Sequence, residues 1–311
     1  MAVSILMAIV AMLSVIFSEV TRAWQKGEGR NERRRSARSL ADFIAAEMQG
    51  ALLPVETVSK AGQSNLQFLI NPLVTHIDDA APWVPDEYRN PHAGFWQAPI
   101  ATETSFGEVA VIGYFVKWAK TDAAPVSRPV LCRFFVNPSK PDASGGFVRN
   151  PDFVIYNQPM ESWVSKSLLE RVAPADKASG YVGLFAENVV GLWFRCAGLD
   201  GVELPKIFDS RIGYPFTVQF IDGAGKPQTR IEKRYLPAVV TVSVAQVESR
   251  LAARMDHVWE DVRALSREPG IRDAAEFVTR MEQEAGSNPG LRPLLSGLRT
   301  YTTRIQLING R

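Results

Sequence analysis

The sequence predicts an α+β fold in which a long N-terminal membrane helix is followed by a head with a mainly antiparallel β-sheet and C-terminal helices. Three observations predict it: residues 1–17 form an uncharged apolar run, a helical apolar period continues to residue 53, and short β-type segments separated by turn residues follow. We therefore expect an N-terminal helix over residues 1–53 and a β-rich head over residues 54–311.

Residues 1–17 are predicted to lie in a membrane, because a helical span needs roughly 20 apolar residues and this run approaches that length. Glu19 and Arg22 follow it where a signal peptide would carry small residues. A buried core helix is the alternative, although such a helix normally has a polar face. The residues assigned to membrane contact and helix-bundle packing are Ile5, Leu6, Ile9, Val10, Leu13, Ile16 and Phe17, with Val20 and Trp24 near the interface.

Residues 18–53 are predicted to extend this helix in amphipathic form. Leu40, Ile44, Met48 and Leu52 recur every four residues and make one apolar stripe. Pro54 ends the pattern, because proline has no backbone N–H to continue a helix. We expect the stripe to pack on the head.

A basic membrane-proximal patch follows the apolar run. It consists of Arg30, Arg33, Arg34, Arg35 and Arg38. Such a patch is either a solvated helix face or a contact with anionic lipid head groups. Basic flanks also favour the cytoplasm, so the patch by itself would place the head inside the cell. The whole chain has a formal net charge of only +2, and we expect no nucleic-acid partner.

The head is predicted to contain short strands rich in Val, Phe and Tyr, joined by hairpins into an antiparallel sheet. The predicted strands are Leu66 to Ile70, Val109 to Trp118, Val130 to Val136, Val189 to Cys196, Phe216 to Ile221 and Ala238 to Val244. Asp222-Gly223 predicts a hairpin turn within Ile221 to Ile231. A short helix is expected between Ser165 and Val172.

The C-terminal region returns to a helical period. The apolar residues spaced by threes and fours are Val247, Leu251, Met255, Val258, Val262 and Leu265. A second helix is expected over Ile271 to Glu284, after the Pro269-Gly270 break, and a closing strand over Thr300 to Ile308. This order predicts a helical insertion, at about residues 245–297, before the last strand.

The residues that carry chemistry in enzymes do not form a recognisable motif in this sequence. It has no Gly-x-Ser-x-Gly, no phosphate-binding loop with Gly-Lys-Ser/Thr and no Cys-x-x-Cys pair. His76, His92 and His257 are too scattered for local metal-ligand spacing. We therefore predict no catalytic residues, no cofactor and no metal.

The two cysteines, Cys132 and Cys196, lie in apolar strand segments, where buried and inert thiols are the default. A disulfide between them is the alternative in an oxidising periplasm. Its formation depends on whether the Cβ atoms approach to within roughly 4.5 Å.

An apolar N-terminal helix that runs into an amphipathic one and then into a β-rich head resembles a type IV pilin or pseudopilin. The order of short motifs in the head resembles the Verru_Chthon cassette protein C family, which is similar in layout to the J-type minor pseudopilin of type II secretion. These motifs are Trp24, the Arg-rich helix, Gly113-Tyr114-Phe115, Leu131-Cys132-Arg133-Phe134-Phe135, Ala186-Glu187-Asn188-Val189-Val190, Leu236-Pro237-Ala238-Val239 and Tyr301-Thr302-Thr303-Arg304-Ile305.

The resemblance implies a non-enzymatic structural subunit of a bacterial envelope filament or secretion assembly. Its partners would be the membrane and other pilin-like subunits, contacted through the N-terminal helix. It would be a single-pass inner-membrane protein with its head in the periplasm or at the cell exterior. The basic leader and the Phe-Thr-Leu-x-Glu start of that family are missing, so we expect the true start to lie upstream of Met1.

Two other functions remain open at this point. One is a membrane-anchored enzyme or ligand-binding domain, which would require a pocket with converging polar groups. The other is a single-span scaffold with a cytoplasmic head, which the arginine patch favours.

Overall fold

The computed structural model describes residues 37–52, 68–71, 86–99, 108–121, 124–153, 166–179, 182–210 and 213–308. The fold is β-rich, with 43% strand and 29% helix. The strands are β1 (Phe68–Ile70), β2 (Ala93–Pro99), β3 (Val109–Thr121), β4 (Ala124–Val136), β5 (Ser139–Pro141), β6 (Phe147–Arg149), β7 (Ala178–Ser179), β8 (Val182–Glu187), β9 (Val189–Ala197), β10 (Phe208–Asp209), β11 (Tyr214–Ile221), β12 (Pro227–Arg234), β13 (Val239–Val247) and β14 (Leu298–Gln306). The α-helices are α1 (37–49), α2 (Lys166–Val172), α3 (Ser249–Ala252), α4 (Trp259–Ser266), α5 (Ala274–Ser287) and α6 (Arg292–Gly297).

A seven-stranded antiparallel sheet forms the middle of the head, in the order β10-β1-β2-β3-β4-β8-β7. Successive side chains along each strand point to opposite faces of the sheet, and both faces are buried. Apolar residues therefore occupy both odd and even positions along β3 and β4. One face carries Phe115 and Phe134, which share a core with Leu168 and Leu169 of α2. The other face carries Leu131 and its neighbours, which belong to the main core.

A second, three-stranded sheet in the order β14-β13-β9 packs on that other face. The two sheets approach closely where Gly94 lies under Phe194, since a Cβ built on Gly94 would be only 3.0 Å from the ring. The C-terminal helices cover the outer face of the small sheet. Phe277 of α5 stacks at 5.4 Å on Trp193 of β9.

The C-terminal helices are an insertion between two paired strands. Val247 of β13 pairs with Leu298 of β14, and α3 to α6 lie between these residues in the chain. Helix α5 begins at Asp273, whose carboxylate accepts hydrogen bonds from the backbone N–H groups of Ala275 and Glu276, at 3.0 and 2.9 Å. Sequence periodicity predicted this arrangement.

Helix α1 packs beside the three-stranded sheet on the same face of the large sheet. Leu40, Ile44 and Met48 are buried, so the apolar stripe of the sequence is the face that packs on the head. The helix ends at residue 49, earlier than predicted, because the backbone N–H of Leu52 donates to the carbonyl of Gln97 at 2.8 Å. That bond holds the chain in an extended conformation.

The predicted fold class is wrong in its long N-terminal membrane helix. The first helix that the structure describes is α1, and it is an amphipathic helix of the head. Over the described ranges, no helix has both the length and the apolar character needed to cross a bilayer. The predicted membrane segment, residues 1–17, lies outside the described residues.

Strands β11 and β12 form a separate two-stranded ribbon, residues 214–234. Its turn has Asp222 accepting hydrogen bonds from the backbone N–H groups of Ala224 and Lys226, each at 2.9 Å. Gly225 adopts a φ of +77°, a left-handed conformation that favours glycine. The Asp-Gly turn predicted from the sequence is therefore present, one residue longer than the simplest two-residue hairpin loop.

Candidate functional site

A buried ion pair fixes helix α1 to the large sheet. Glu47 lies on the last turn of α1, and its carboxylate accepts hydrogen bonds from Arg133 of β4 and from the hydroxyl of Tyr114 of β3. Arg133 Nε also donates to the Tyr114 hydroxyl oxygen at 3.0 Å. The indole N–H of Trp96 donates to the backbone carbonyl of Glu47 at 3.2 Å. We call Glu47, Tyr114 and Arg133 the α1 latch.

The α1 latch is desolvated. The side chain of Arg133 is 7% exposed and that of Glu47 is 17% exposed. Burial opposes the charge on Arg133, but the hydrogen bonds and charges of Glu47 and Tyr114 outweigh it and raise its pKa. Burial, with the nearby Glu47 charge, raises the pKa of Tyr114, which therefore remains a neutral donor. The Arg133 guanidinium therefore keeps its charge at neutral pH.

Aromatic rings pack around the latch. The guanidinium of Arg133 lies 4.6 Å from the ring centre of Phe135. Phe43 of α1 contacts Phe185 of β8 with ring centres 5.3 Å apart. Buried charge pairs of this kind specify geometry, since breaking one leaves an uncompensated charge inside the protein. Helix α1 is therefore held in one position on the sheet.

The ribbon differs from the rest of the head because most of the residues in both of its strands are exposed among the described residues. Phe216, Val218 and Phe220 alternate along β11, and the register places them opposite Glu232, Arg230 and Gln228 of β12. The guanidinium carbon of Arg230 lies 5.7 Å from the ring centre of Phe220, and Arg234 lies at the same distance from Phe216. The arginine side chains thus lie across the apolar side of the ribbon.

Exposed apolar side chains concentrate in one stretch of the sequence that includes the ribbon. Among the described residues, nine large apolar side chains are exposed, and six of them fall between residues 199 and 231. These six are Leu199, Val202, Ile207, Phe220, Ile221 and Ile231. The last three lie on the ribbon, and exposed apolar side chains on a strand pair are typical of a protein contact rather than of a small-molecule pocket.

Most of the predicted membrane and arginine-patch residues, Ile5 to Trp24 and Arg30 to Arg35, lie outside the described residues. Arg38 is described. It is two-thirds exposed and lies 3.4 Å from Asp42 on the same helix. It also lines an open groove of about 710 Å³ between α1 and β14, with Tyr301 on the opposite side. The structure therefore places one member of the patch on a solvated helix face.

The disulfide considered for Cys132 and Cys196 is not formed. Both thiols are free and buried. Cys132 belongs to the core under α2, whereas Cys196 belongs to the main core around the three-stranded sheet. Burial raises the pKa of Cys132 to about 12 and raises that of Cys196 further. Both side chains are inert packing groups.

His92 is a buried titratable group at the junction of the two sheets. Its Nδ1 accepts a hydrogen bond from the backbone N–H of Phe194 at 2.9 Å, and its Nε2 has no hydrogen-bond partner among the described residues. Burial, then the positive charges of Lys206 and Arg89, lower the pKa of His92 to about 3. His92 is therefore neutral at physiological pH. Within the described parts of the chain, no group of His, Cys, Asp and Glu side chains is arranged to hold a metal ion.

The sequence interpretation did not assign a role to the latch. Tyr114 and Arg133 entered it only as positions in family-like motifs, and Glu47 did not enter it. Two observations were available: an acidic residue beside the apolar stripe of a predicted helix, and an arginine inside an apolar strand. Each predicts a buried charge that needs a partner. Neither identifies the partner, because the pairing spans 86 residues.

Comparison with family models, curated proteins and solved structures finds no match to this chain.

Proposed function

We propose that this chain is a non-enzymatic, pilin-like structural subunit of a cell-envelope filament or secretion assembly, and that its head acts by protein contacts. The observation that carries the proposal is the α1 latch. Glu47 and Arg133 make a buried pair that fixes α1, the first helix that the structure describes, to the sheet of the head. A structural subunit needs this connection, because a contact made by α1 must reposition the head, and a contact made by the head must reposition α1.

The distribution of exposed apolar residues supports the same proposal. The head buries apolar residues on both faces of its large sheet, whereas three of the exposed apolar side chains among the described residues, Phe220, Ile221 and Ile231, lie on the ribbon. Exposed apolar side chains on a strand pair are suited to binding a neighbouring subunit. We place this head in the periplasm or at the cell exterior, following the pilin-like order of the sequence motifs.

Cross-linking in the native host tests the proposal. The full chain, tagged after Arg311, is cross-linked in the envelope fraction, and its neighbours are identified by mass spectrometry. We expect cross-links to other pilin-like subunits. A chain that stays monomeric under these conditions contradicts the proposal. A reporter fused after Arg311 that is active only in the cytoplasm would instead support a scaffold with a cytoplasmic head.

A double variant tests whether the latch carries this function. Glu47→Leu combined with Arg133→Leu removes both charges, so no unpaired charge is left in the core and the head should stay folded. We expect fewer cross-links to neighbouring subunits, because α1 is no longer fixed by the pair. Arg304→Leu is the matched control, since Arg304 is exposed on β14. Equal cross-linking by the double variant and the control would show that the latch does not couple α1 to assembly.

A further inference from the structure

The two edges of the ribbon differ in charge. From Tyr214 to Ile221, strand β11 carries no charged side chain, whereas β12 carries Arg230, Glu232, Lys233 and Arg234. Natural sheets protect exposed edges with charged residues and proline. Strand β11 has this protection only at Pro215, near its start. Its outer edge is therefore the less protected one.

The hydrogen-bond pattern shows which backbone groups this edge presents. The backbone N–H of Asp222 donates to the carbonyl of Lys226 at 2.9 Å, so these two residues form a hydrogen-bonded pair of the antiparallel ladder. Such pairs recur at every second residue. The register then turns the backbone groups of Phe216, Val218 and Phe220 towards β12. Those of Thr217, Gln219 and Ile221 point away from it.

The outward groups have no strand beside them in the described part of the chain, where β11 pairs with β12 alone. Two strands by themselves are marginally stable in water, and a third strand or a covering layer stabilises them. The ribbon therefore has three successive outward positions, Thr217, Gln219 and Ile221, at which an extended chain can add as a third strand.

The net charge of the ribbon determines which extended partner segments it favours. Residues 214–234 contain four basic side chains and two acidic ones, which gives an excess of two positive charges. Both acidic groups already have partners, since Asp222 caps the turn and Glu232 lies between Arg230 and Arg234. The two arginines reach over the phenylalanine rings of β11, towards the side on which a third strand would lie.

We propose that the outer edge of β11 binds an extended, acidic segment of a partner protein as a third strand. Backbone groups of Thr217, Gln219 and Ile221 provide the pairing. The carboxylates of the segment lie on the face that carries Phe216 and Phe220, where they meet Arg230 and Arg234. Its apolar residues alternate with the carboxylates and lie on the opposite face, beside Ile221. A second copy of this chain fits less well, because pairing two ribbons brings two positive excesses together. Strand addition does not depend on membership of an envelope assembly, since the ribbon is part of the isolated chain.

Peptide binding to the purified full chain in mild detergent tests this proposal. The probe is a fluorescent seven-residue peptide in which valine alternates with glutamate, and the comparison peptide has lysine in place of glutamate. We expect the acidic peptide to bind at least about tenfold more tightly, with an affinity that falls as salt is raised. Equal binding of the two peptides would overturn the proposal.

A pair of proline variants distinguishes the two edges. Gln219 and Thr229 are cross-strand partners, and both have outward backbone N–H groups, so proline removes no bond of the ribbon at either position. We expect Gln219→Pro to weaken binding of the acidic peptide about tenfold, and Thr229→Pro to change it less than about twofold. Binding that survives Gln219→Pro would overturn the assignment to the β11 edge.

Two further measurements make every outcome decisive. Circular dichroism and thermal unfolding check that both proline variants are folded. If Gln219→Pro is not, Arg230→Gln takes its place, since it leaves the backbone unchanged and should weaken the acidic peptide by several-fold. Unchanged binding by Arg230→Gln would overturn the role of charge. A concentration-dependent dimer that Gln219→Pro abolishes would show that a second copy, and not an acidic partner, occupies the edge.

Discussion

Helix α1 and the β11–β12 ribbon belong to the same head, but they are stabilised in opposite ways. Helix α1 buries its apolar stripe and adds a desolvated charge pair to the sheet. The ribbon exposes apolar side chains, and its ion pairs are partly exposed to solvent. The comparison shows that a buried, paired charge fixes the position of helix α1. The ribbon instead keeps a strand edge that has no partner among the described residues and offers a surface for binding.

Breaking the α1 latch should have the largest effect on stability. Arg133→Leu leaves the Glu47 carboxylate beside apolar side chains without its cation, and we expect the free energy of unfolding to fall by about 4 kcal/mol. Urea unfolding followed by tryptophan fluorescence measures this loss. The double variant that also carries Glu47→Leu should recover most of it. A loss below about 1 kcal/mol from Arg133→Leu would mean that the latch contributes no more than a surface ion pair.

Two isoleucine variants compare the regions directly. Ile44 of α1 is fully buried, whereas Ile231 of the ribbon is 74% exposed. We expect Ile44→Ala to lower the free energy of unfolding by about 3 kcal/mol, because it removes buried methyl groups and leaves a cavity. Ile231→Ala should change it by less than about 0.5 kcal/mol. Similar losses from the two variants, in the same urea titration, would show that the ribbon is covered in solution.

Acid should affect the junction of the two sheets and the ribbon differently, because His92 lies where the sheets meet, whereas the ribbon contains no histidine. The pKa of His92 is lowered to about 3 in the folded state, against an ordinary value of 6.5. Between these values the unfolded chain binds a proton that the folded chain does not. Stability from this group is therefore complete above pH 6.5 and falls as the pH decreases, by up to about 1.4 kcal/mol per pH unit.

His92→Asn isolates this contribution, since the asparagine oxygen can still accept the hydrogen bond from the Phe194 N–H. Unfolding free energies measured from pH 7 to pH 4 should decline less steeply in the variant than in the parent chain. Amide exchange in the ribbon should show no matching difference. Parallel pH profiles of the variant and the parent would mean that His92 becomes protonated in the folded head.

The sequence predicted the elements that local spacing and composition are enough to define. The four-residue apolar spacing around Ile44 predicted the face of α1 that is buried, and Val-rich runs predicted β9 and β13. Strands β2 and β12 were missed. Ala93–Pro99 combines glycine, proline and small residues, and Pro227–Arg234 is mostly polar, so neither has the composition of a typical strand. Each is a strand because it pairs along its whole length with a neighbour of stronger β-forming composition, β2 with β3 and β12 with β11.

The α1 latch could not be predicted, because its partners meet only after the large sheet has formed beneath α1. Glu47 and Arg133 are separated by 86 residues, and no local pattern encodes such a distance. The free edge of β11 could be predicted only in part. The hairpin turn was expected from Asp222-Gly223, but the lack of a third strand among the described residues depends on how the rest of the chain packs.

The pairing of Val247 with Leu298 brings the two ends of the helical segment, residues 248–297, side by side. Folding must close this long loop before β14 can dock, although the entropic cost grows only with the logarithm of loop length. A segment that leaves and re-enters a sheet at adjacent points is the kind that evolution can add, lengthen or exchange without altering strand order. Its removal would nevertheless expose Trp193, which contacts Phe277, and Trp118, which makes an edge-to-face contact with Trp259. A shortened relative would therefore be expected to carry smaller or polar residues at those two strand positions.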